Sequence, residues 1–340
     1  MAFKRARFRP AAALALAAVV LAACSGGNES VNADDAAGSW PSGAVDMYVG
    51  YAVGGSSDLI SRAVADGLAG DGAAPFRIVN REGGNGAIAA AEVAAAPADG
   101  SVISIQNASL YAITPLAVAP DEAADIENFD VVYGISRDHY VVVANPASGF
   151  RSIQDIPRVN QAIKYGTTGV GTGAQLSAVL LFKNAEVPAE PVPFDSGAPA
   201  LAAVVAGEVD IAVIHVGEAI ENIRSGKLVP LAVFGPDRNS YLPDVPTAQE
   251  QGVDAEVTQY RFMTVPKGTP KFVRNALVDG LKATFDTEAY RKFNEENSFT
   301  PMEIPGDEVL AQLNEDKQRY AELVQQNGID LHDLGRKPAP

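Results

Sequence analysis

VGYAVGGSSD, residues 49–58, followed at once by LISRAVADGL, decides how this chain is read. An apolar run breaks into two glycines, two serines and an aspartate, then resumes with helical periodicity. That pattern is a strand, a glycine-rich turn and a helix. Such a turn aims several backbone N–H groups at one point, and the positive end of the helix dipole faces the same way. The device recurs in IKYGTTGVGTGAQLSAVLLF, residues 163–182. The two lie over a hundred residues apart, which suggests one in each of two α/β lobes. Facing each other across a cleft, at the carboxyl ends of their strands, they would hold an anion, here a carboxylate, from both sides.

Outward from these turns the signals alternate. VDMYVGYAV, FRIVN, SVISIQN, FDVVYGIS, YVVVANP, AIKYGTT, EPVPF, DIAVIHV and VPLAVFG have the pattern of strands. DLISRAVADGLAG, AIAAAEVAAA, AQLSAVLLFKN, APALAAVVAG and EAIENIRSG have that of helices, and the chain ends in three more, from KFVRNALVDGLKATF onward. The alternation predicts an α/β architecture with largely parallel sheets. With 340 residues, 47% hydrophobic and 20% charged, the chain can fill the cores of two domains. Its formal net charge of −16 argues against nucleic acid as a partner, since no basic stripe exists to displace counterions.

The N-terminus has the form of an export signal. MAFKRARFRP is basic and leads into AAALALAAVVLAA, an apolar run too short to span a bilayer. Cys24, the single cysteine, follows in LAACSGG, a sequence resembling a bacterial lipobox. Residues 1–23 are thus expected to be a lipoprotein signal peptide, Cys24 the lipidated residue, and residues 24–44 a flexible tether.

Enzymatic motifs are scarce. Gly169, Gly171 and Ala174 satisfy G-x-G-x-x-A, but Glu190 opens the next strand instead of closing it, which misplaces it for a ribose. No G-K-[ST] follows either glycine run, and no G-x-S-x-G, S-x-x-K or H-E-x-x-H occurs. His332 reads as a surface residue, His139 as structural, and His215 ends a strand where α/β clefts open. Glu218 lies three residues on, but two residues make no metal site. No catalytic residue, metal or cofactor is expected. Ser56, Ser57, Thr168 and Thr172 supply hydroxyls beside the glycines, as helix caps, as anion ligands, or as both.

At these residues the chain resembles the TctC/Bug family, the extracytoplasmic solute receptors of tripartite tricarboxylate transporters. The family's first loop, PFAPGGxxD, is GYAVGGSSD here; its ENRPGAGGxIG run is VNREGGNGAIA, residues 79–89. YGTTGVGTGAQLSAVLLF, VPFDSGAPALAAVVAGEVD (residues 192–210), SGKLVPLAVFGPDRNSYLPDVPTAQEQG and VPKGTP follow in the family's order. The resemblance covers about residues 40–328. It implies a two-lobed periplasmic-binding-protein (Venus flytrap) fold, type II-like, with a hinge and no catalytic step. Lobe one would comprise residues 45–138 and 254–330, and lobe two residues 139–253.

The resemblance also implies a binding site. Tyr51 would pack against the ligand, and Gly54, Gly55, Ser56, Ser57 and Asp58 would line lobe one, with Asn107 and Ala108 after its third strand. Thr168, Gly169, Thr172 and Gly173 would serve from lobe two, with Ser196, Gly197 and Ala198 as a third edge and His215 in the cleft. Five positions depart from the pattern: Phe194-Asp195 replaces a Tyr-Lys pair, Gln175 a histidine, Val53 a proline and Phe262 a glycine. Asp195 in particular disfavours a highly charged tricarboxylate such as citrate, or accepts from an amine or hydroxyl. The implied partners are a small carboxylate, the permease subunits and, through the lipid anchor, the membrane, with the receptor a monomer in the periplasm or on the outer cell surface. A receptor of the same fold serving a membrane sensor kinase and an exported hydrolase are the competing readings.

Overall fold

A computed structural model describes residues 40–70, 75–158, 162–194 and 196–332. The expected signal peptide, Cys24 and most of the tether, together with Asp195, lie outside the described residues. The first strand, β1 (Val45–Val49), is followed by α1 (Ser56–Ala69), β2 (Phe76–Asn80), α2 (Ala87–Ala94), β3 (Val102–Asn107) and the short α3 (Ser109–Ala112). Next come β4 (Phe129–Ala144), β5 (Ile163–Thr167), α4 (Gly173–Ala185), β6 (Ala189–Pro193), α5 (Gly197–Ala206), β7 (Ile211–His215), α6 (Val216–Arg224) and β8 (Val229–Val233). The chain closes with β9 (Thr258–Pro266), α7 (Lys271–Phe285), α8 (Glu288–Asn297) and α9 (Gly306–Gln326).

The strands pair in the order β2-β1-β3-β9-β4-β7-β5-β6, with β8 on the other edge of β4. Pairing is parallel within β2-β1-β3 and within β7-β5-β6, whereas β9 is antiparallel to β3 and β4, and β4 antiparallel to β7 and β8. The expectation of largely parallel sheets therefore holds for the outer strands and fails at the centre. Two strands expected at residues 129–136 and 140–146 are one: β4 runs unbroken through Ser136, Arg137, Asp138 and His139. Its residues 129–139 pair with β9, and its residues 140–144 pair with β7 and β8. One strand thus belongs to both halves of the sheet.

Helices cover both faces, so the strands bury both sets of side chains. Along β4, Tyr140, Val142 and Ala144 pack into one core beneath α4, and Val141 and Val143 into a second beneath α5 and α6. In the other half, α1 and α7 cover Met47, Ile103 and Met263, while α2 and α9 pack on the opposite face with Tyr260 and Phe262. This two-sided burial explains the near-continuous apolar runs in the sequence.

Candidate functional site

The glycine-rich turns at the ends of β1 and β5 approach one cleft between the halves. α1 starts from Gly55 and α5 from Ser196, neither with a side-chain cap, while the Thr172 hydroxyl caps α4 by accepting from the Gln175 N–H at 3.2 Å. Gly169 turns the second loop with φ 114°, a conformation that L side chains rarely adopt. The cleft contains a small inner cavity of ≈ 40 Å³, bounded by Tyr51, Gly55, Ser56, Ser57 and Asn107 from one half and Thr168, Ser196, Gly197, His215 and Glu218 from the other. Arg261 of β9 lies at its floor. A space of ≈ 710 Å³ adjoins it, lined by Tyr51, Asn85, Thr168, Gly169 and Thr172. Another, of ≈ 390 Å³, is lined by Gly54, Ser196, Ala198 and Glu218.

Three of the sequence-predicted residues lie outside these spaces. The Asp58 carboxylate holds the turn: it accepts from the Gly54 N–H at 2.9 Å, from Arg62 Nε and Nη2 at 2.9 Å each, and from Asn80 Nδ2 at 3.0 Å. Burial works against its charge, but these donors outweigh burial and hold its pKa below the usual value. Ala108 is buried and donates its N–H to the Tyr260 carbonyl at 3.0 Å. Gly173 packs against the Tyr140 ring, too close for any Cβ.

Sequence reasoning missed the floor of the cleft. It placed no strand at residues 258–266 and no basic residue at the site, yet Arg261 is fully buried there. Its Nε donates to Ser57 Oγ at 3.0 Å and its Nη2 to Ser56 Oγ at 2.7 Å. Nη1 donates to Ser136 Oγ at 3.2 Å and to Asp138 Oδ2. Among the described residues, four of the five guanidinium N–H groups are thereby satisfied, and one is left for whatever occupies the cavity. A lone arginine within YRFMTV was the available signal, because a charge among buried apolar residues needs a partner.

Glu218 reaches from the first turn of α6 to the other half, where its Oε1 accepts from the Ser56 N–H at 3.4 Å. Among the described residues its Oε2 is buried without a partner, as is His215 Nδ1. Burial pushes the Glu218 carboxyl up, with Arg261 and Ser56 pulling the other way, and burial together with Arg261 pushes His215 well below its usual value. His215 stacks on Tyr140 with centroids 4.6 Å apart. A Cβ at Gly197 would come 1.8 Å from Glu218 Oε2, so a larger residue there would displace the Glu218 carboxylate. Around the rim, the Tyr51 hydroxyl donates to Asn85 Oδ1 at 2.7 Å, and Asn85 Nδ2 and Thr114 Oγ1 both donate to the Gly171 carbonyl across the cleft at 3.1 Å.

The chain is similar to several known proteins. BugT of Bordetella pertussis is 25% identical, over 87% of this chain and 92% of its own length. A UPF0065 protein from the tcbD-tcbE intergenic region of Pseudomonas sp. strain P51 is 30% identical, over 69% of this chain and 71% of its own. Among solved structures, a periplasmic transporter superposes with a TM-score of 0.80 at 26% identity, covering 86% of this chain and 100% of that one. MatC from Rhodopseudomonas palustris with bound malate gives 0.76 at 25%, covering 84% and 100%. The fold is the two-lobed fold of periplasmic binding proteins, joined through β4 and the segment entering β9. Residues 60–329 match the tripartite tricarboxylate transporter family receptor, TctC, and with its fold and its cleft between the two turns the chain belongs to that family.

Proposed function

We propose that this chain is an extracytoplasmic receptor that captures a small carboxylate-bearing solute between its lobes for the permease of a tripartite tricarboxylate transporter. The observation that carries this reading is the convergence of the α1 and α5 N-termini and the Thr168 turn on one cavity with Arg261 at its floor. Free backbone N–H groups, serine and threonine hydroxyls and one unused guanidinium N–H can together satisfy a carboxylate. MatC, of the same fold, has malate bound, and malate is such a solute. The lobes would be residues 45–138 with 254–330, and residues 139–253. A ligand that touches both lobes favours the closed form by its differential affinity for it. The receptor would act as a monomer, held at the membrane by a lipid on Cys24 after removal of residues 1–23.

A thermal melt against small carboxylates and their matched amides tests the reading. At about 100 times its dissociation constant a ligand stabilises by ~2.7 kcal/mol, a shift of a few degrees. A carboxylate that shifts the melt while its amide does not is the expected result, and equal shifts by both would sink the anion clamp. For the anchor, cells fed labelled palmitate should label the wild-type chain and leave a Cys24→Ala chain unlabelled.

A further inference from the structure

Resting on the carboxylate reading, we propose that Glu218 is the specificity residue of the cleft and takes the ammonium group of a zwitterionic ligand. The receptor would then select amino acids over plain carboxylic acids of the same skeleton.

Glu218 crosses between the lobes, yet only one of its carboxylate oxygens has a donor, the Ser56 N–H at 3.4 Å. The other is buried against Gly197 with no partner among the described residues. Buried polar atoms in folded proteins are almost always satisfied, so an orphaned carboxylate oxygen lining a cavity calls for a donor brought by the occupant. Arg261 does not supply it: four of its five N–H groups go to Ser56, Ser57, Ser136 and Asp138, and the fifth makes no hydrogen bond to Glu218. Asp138 also offsets its charge. His215, 7% exposed and kept neutral by burial and by Arg261, adds no positive charge beside Glu218, and its orphaned Nδ1 offers a second polar atom to the same occupant.

Charge balance along the cleft points the same way. Among the described residues lining its three connected spaces, Arg261 is the one cation and stands against Glu82, Glu122 and Glu218. A second carboxylate on the ligand would meet acids with no free cation to pair with, whereas an ammonium would meet an unpaired carboxylate. The carboxylate end would then lie on the serine and threonine side, at Ser57 and Thr168.

Calorimetric titration of the full chain with the twenty standard L-amino acids tests this, each compared with its des-amino acid and its decarboxylated amine. One amino acid should bind about tenfold or more tightly than its des-amino acid, the worth of a charge-assisted hydrogen bond. Glu218→Gln should collapse that ratio by weakening the amino acid far more than its des-amino partner. A des-amino acid that binds wild type as tightly as its amino acid would overturn the proposal and leave the carboxylate reading intact. So would an unchanged ratio in the variant. The wild-type ratio needs no variant, so misfolding of Glu218→Gln cannot hide the answer. Amines that bind as tightly as the amino acids would overturn the carboxylate reading and keep Glu218 as an ammonium site. If none of the three classes binds, both readings fall.

Discussion

Arg261 and Asp138 have side chains only 1% and 5% exposed, and each is the other's charge partner. Removing one member of such a pair leaves a buried charge alone, which typically costs ~3–5 kcal/mol, while replacing both with apolar groups often restores stability. Arg261→Met should therefore lower the free energy of unfolding in urea by about that much. Arg261→Met combined with Asp138→Leu should recover most of it, and a double variant no more stable than the single would contradict the pairing. Glu218 makes a pH-dependent prediction. Its folded pKa is raised, by burial above all, so its neutral form suits the fold: the contribution is fully present below the ordinary carboxylate range and lost as pH rises through the raised value. The stability of wild type relative to Glu218→Gln should fall as pH rises across that window. Urea midpoints at a series of pH values would show it, and a flat difference would refute it.

The turn entering α1 works as an element because Asp58 braces it from behind. One carboxylate collects the Gly54 N–H, Arg62 and Asn80, and Asn80 also donates to the Tyr51 carbonyl at 2.9 Å. Asp58→Ala strands these donors and should destabilise by ~1–3 kcal/mol. It should also weaken ligand binding by letting the turn drift, although Asp58 lies outside the cavity. Calorimetry on the folded variant separates the two effects, and unchanged affinity would mean that the turn keeps its shape without the brace. The two central strands show why elements were harder to read than turns. β4 was expected to break at RDH, where polar residues interrupt its apolar run, and β9 was not recognised in TQYRFMTVP. Yet Ser136 sits opposite Arg261 in the ladder, and Asp138 lies two residues on, on the same face. The polar interruption in one strand and the charge in the other are the two halves of one site.

Across the whole molecule, the Gly171 carbonyl receives Asn85 and Thr114 from the opposite lobe, and Glu218 receives Ser56. These are contacts of a closed cleft, and opening would exchange them for water. Replacing Asn85 with Ala and Thr114 with Val should shift the unliganded receptor toward the open form and weaken ligand binding through the lost closed-state population. Small-angle X-ray scattering should report a larger radius of gyration for the unliganded double variant, returning to the wild-type value at saturating ligand. Identical profiles for both unliganded proteins would mean that these hydrogen bonds do not set the balance.

By itself the sequence determined the local devices: the glycine-rich turns, the helices that start from them, and the two-sided apolar strands of a covered sheet. These are legible because backbone conformation and burial period are fixed by neighbours in the chain. Ser56, Thr168 and His215 could be placed at a cleft for that reason, each standing at the end of a strand or the start of a helix, while Tyr51 and Ser196 were implied by the resemblance to the TctC/Bug family. Only the tertiary structure decided what lies beneath them. Arg261 meets Ser57 from 204 residues away, and Glu218 meets Ser56 from 162. Charges buried in this way depend on partners that no local pattern brings together, so their roles emerge only when β9 is inserted between β3 and β4 and the two lobes close.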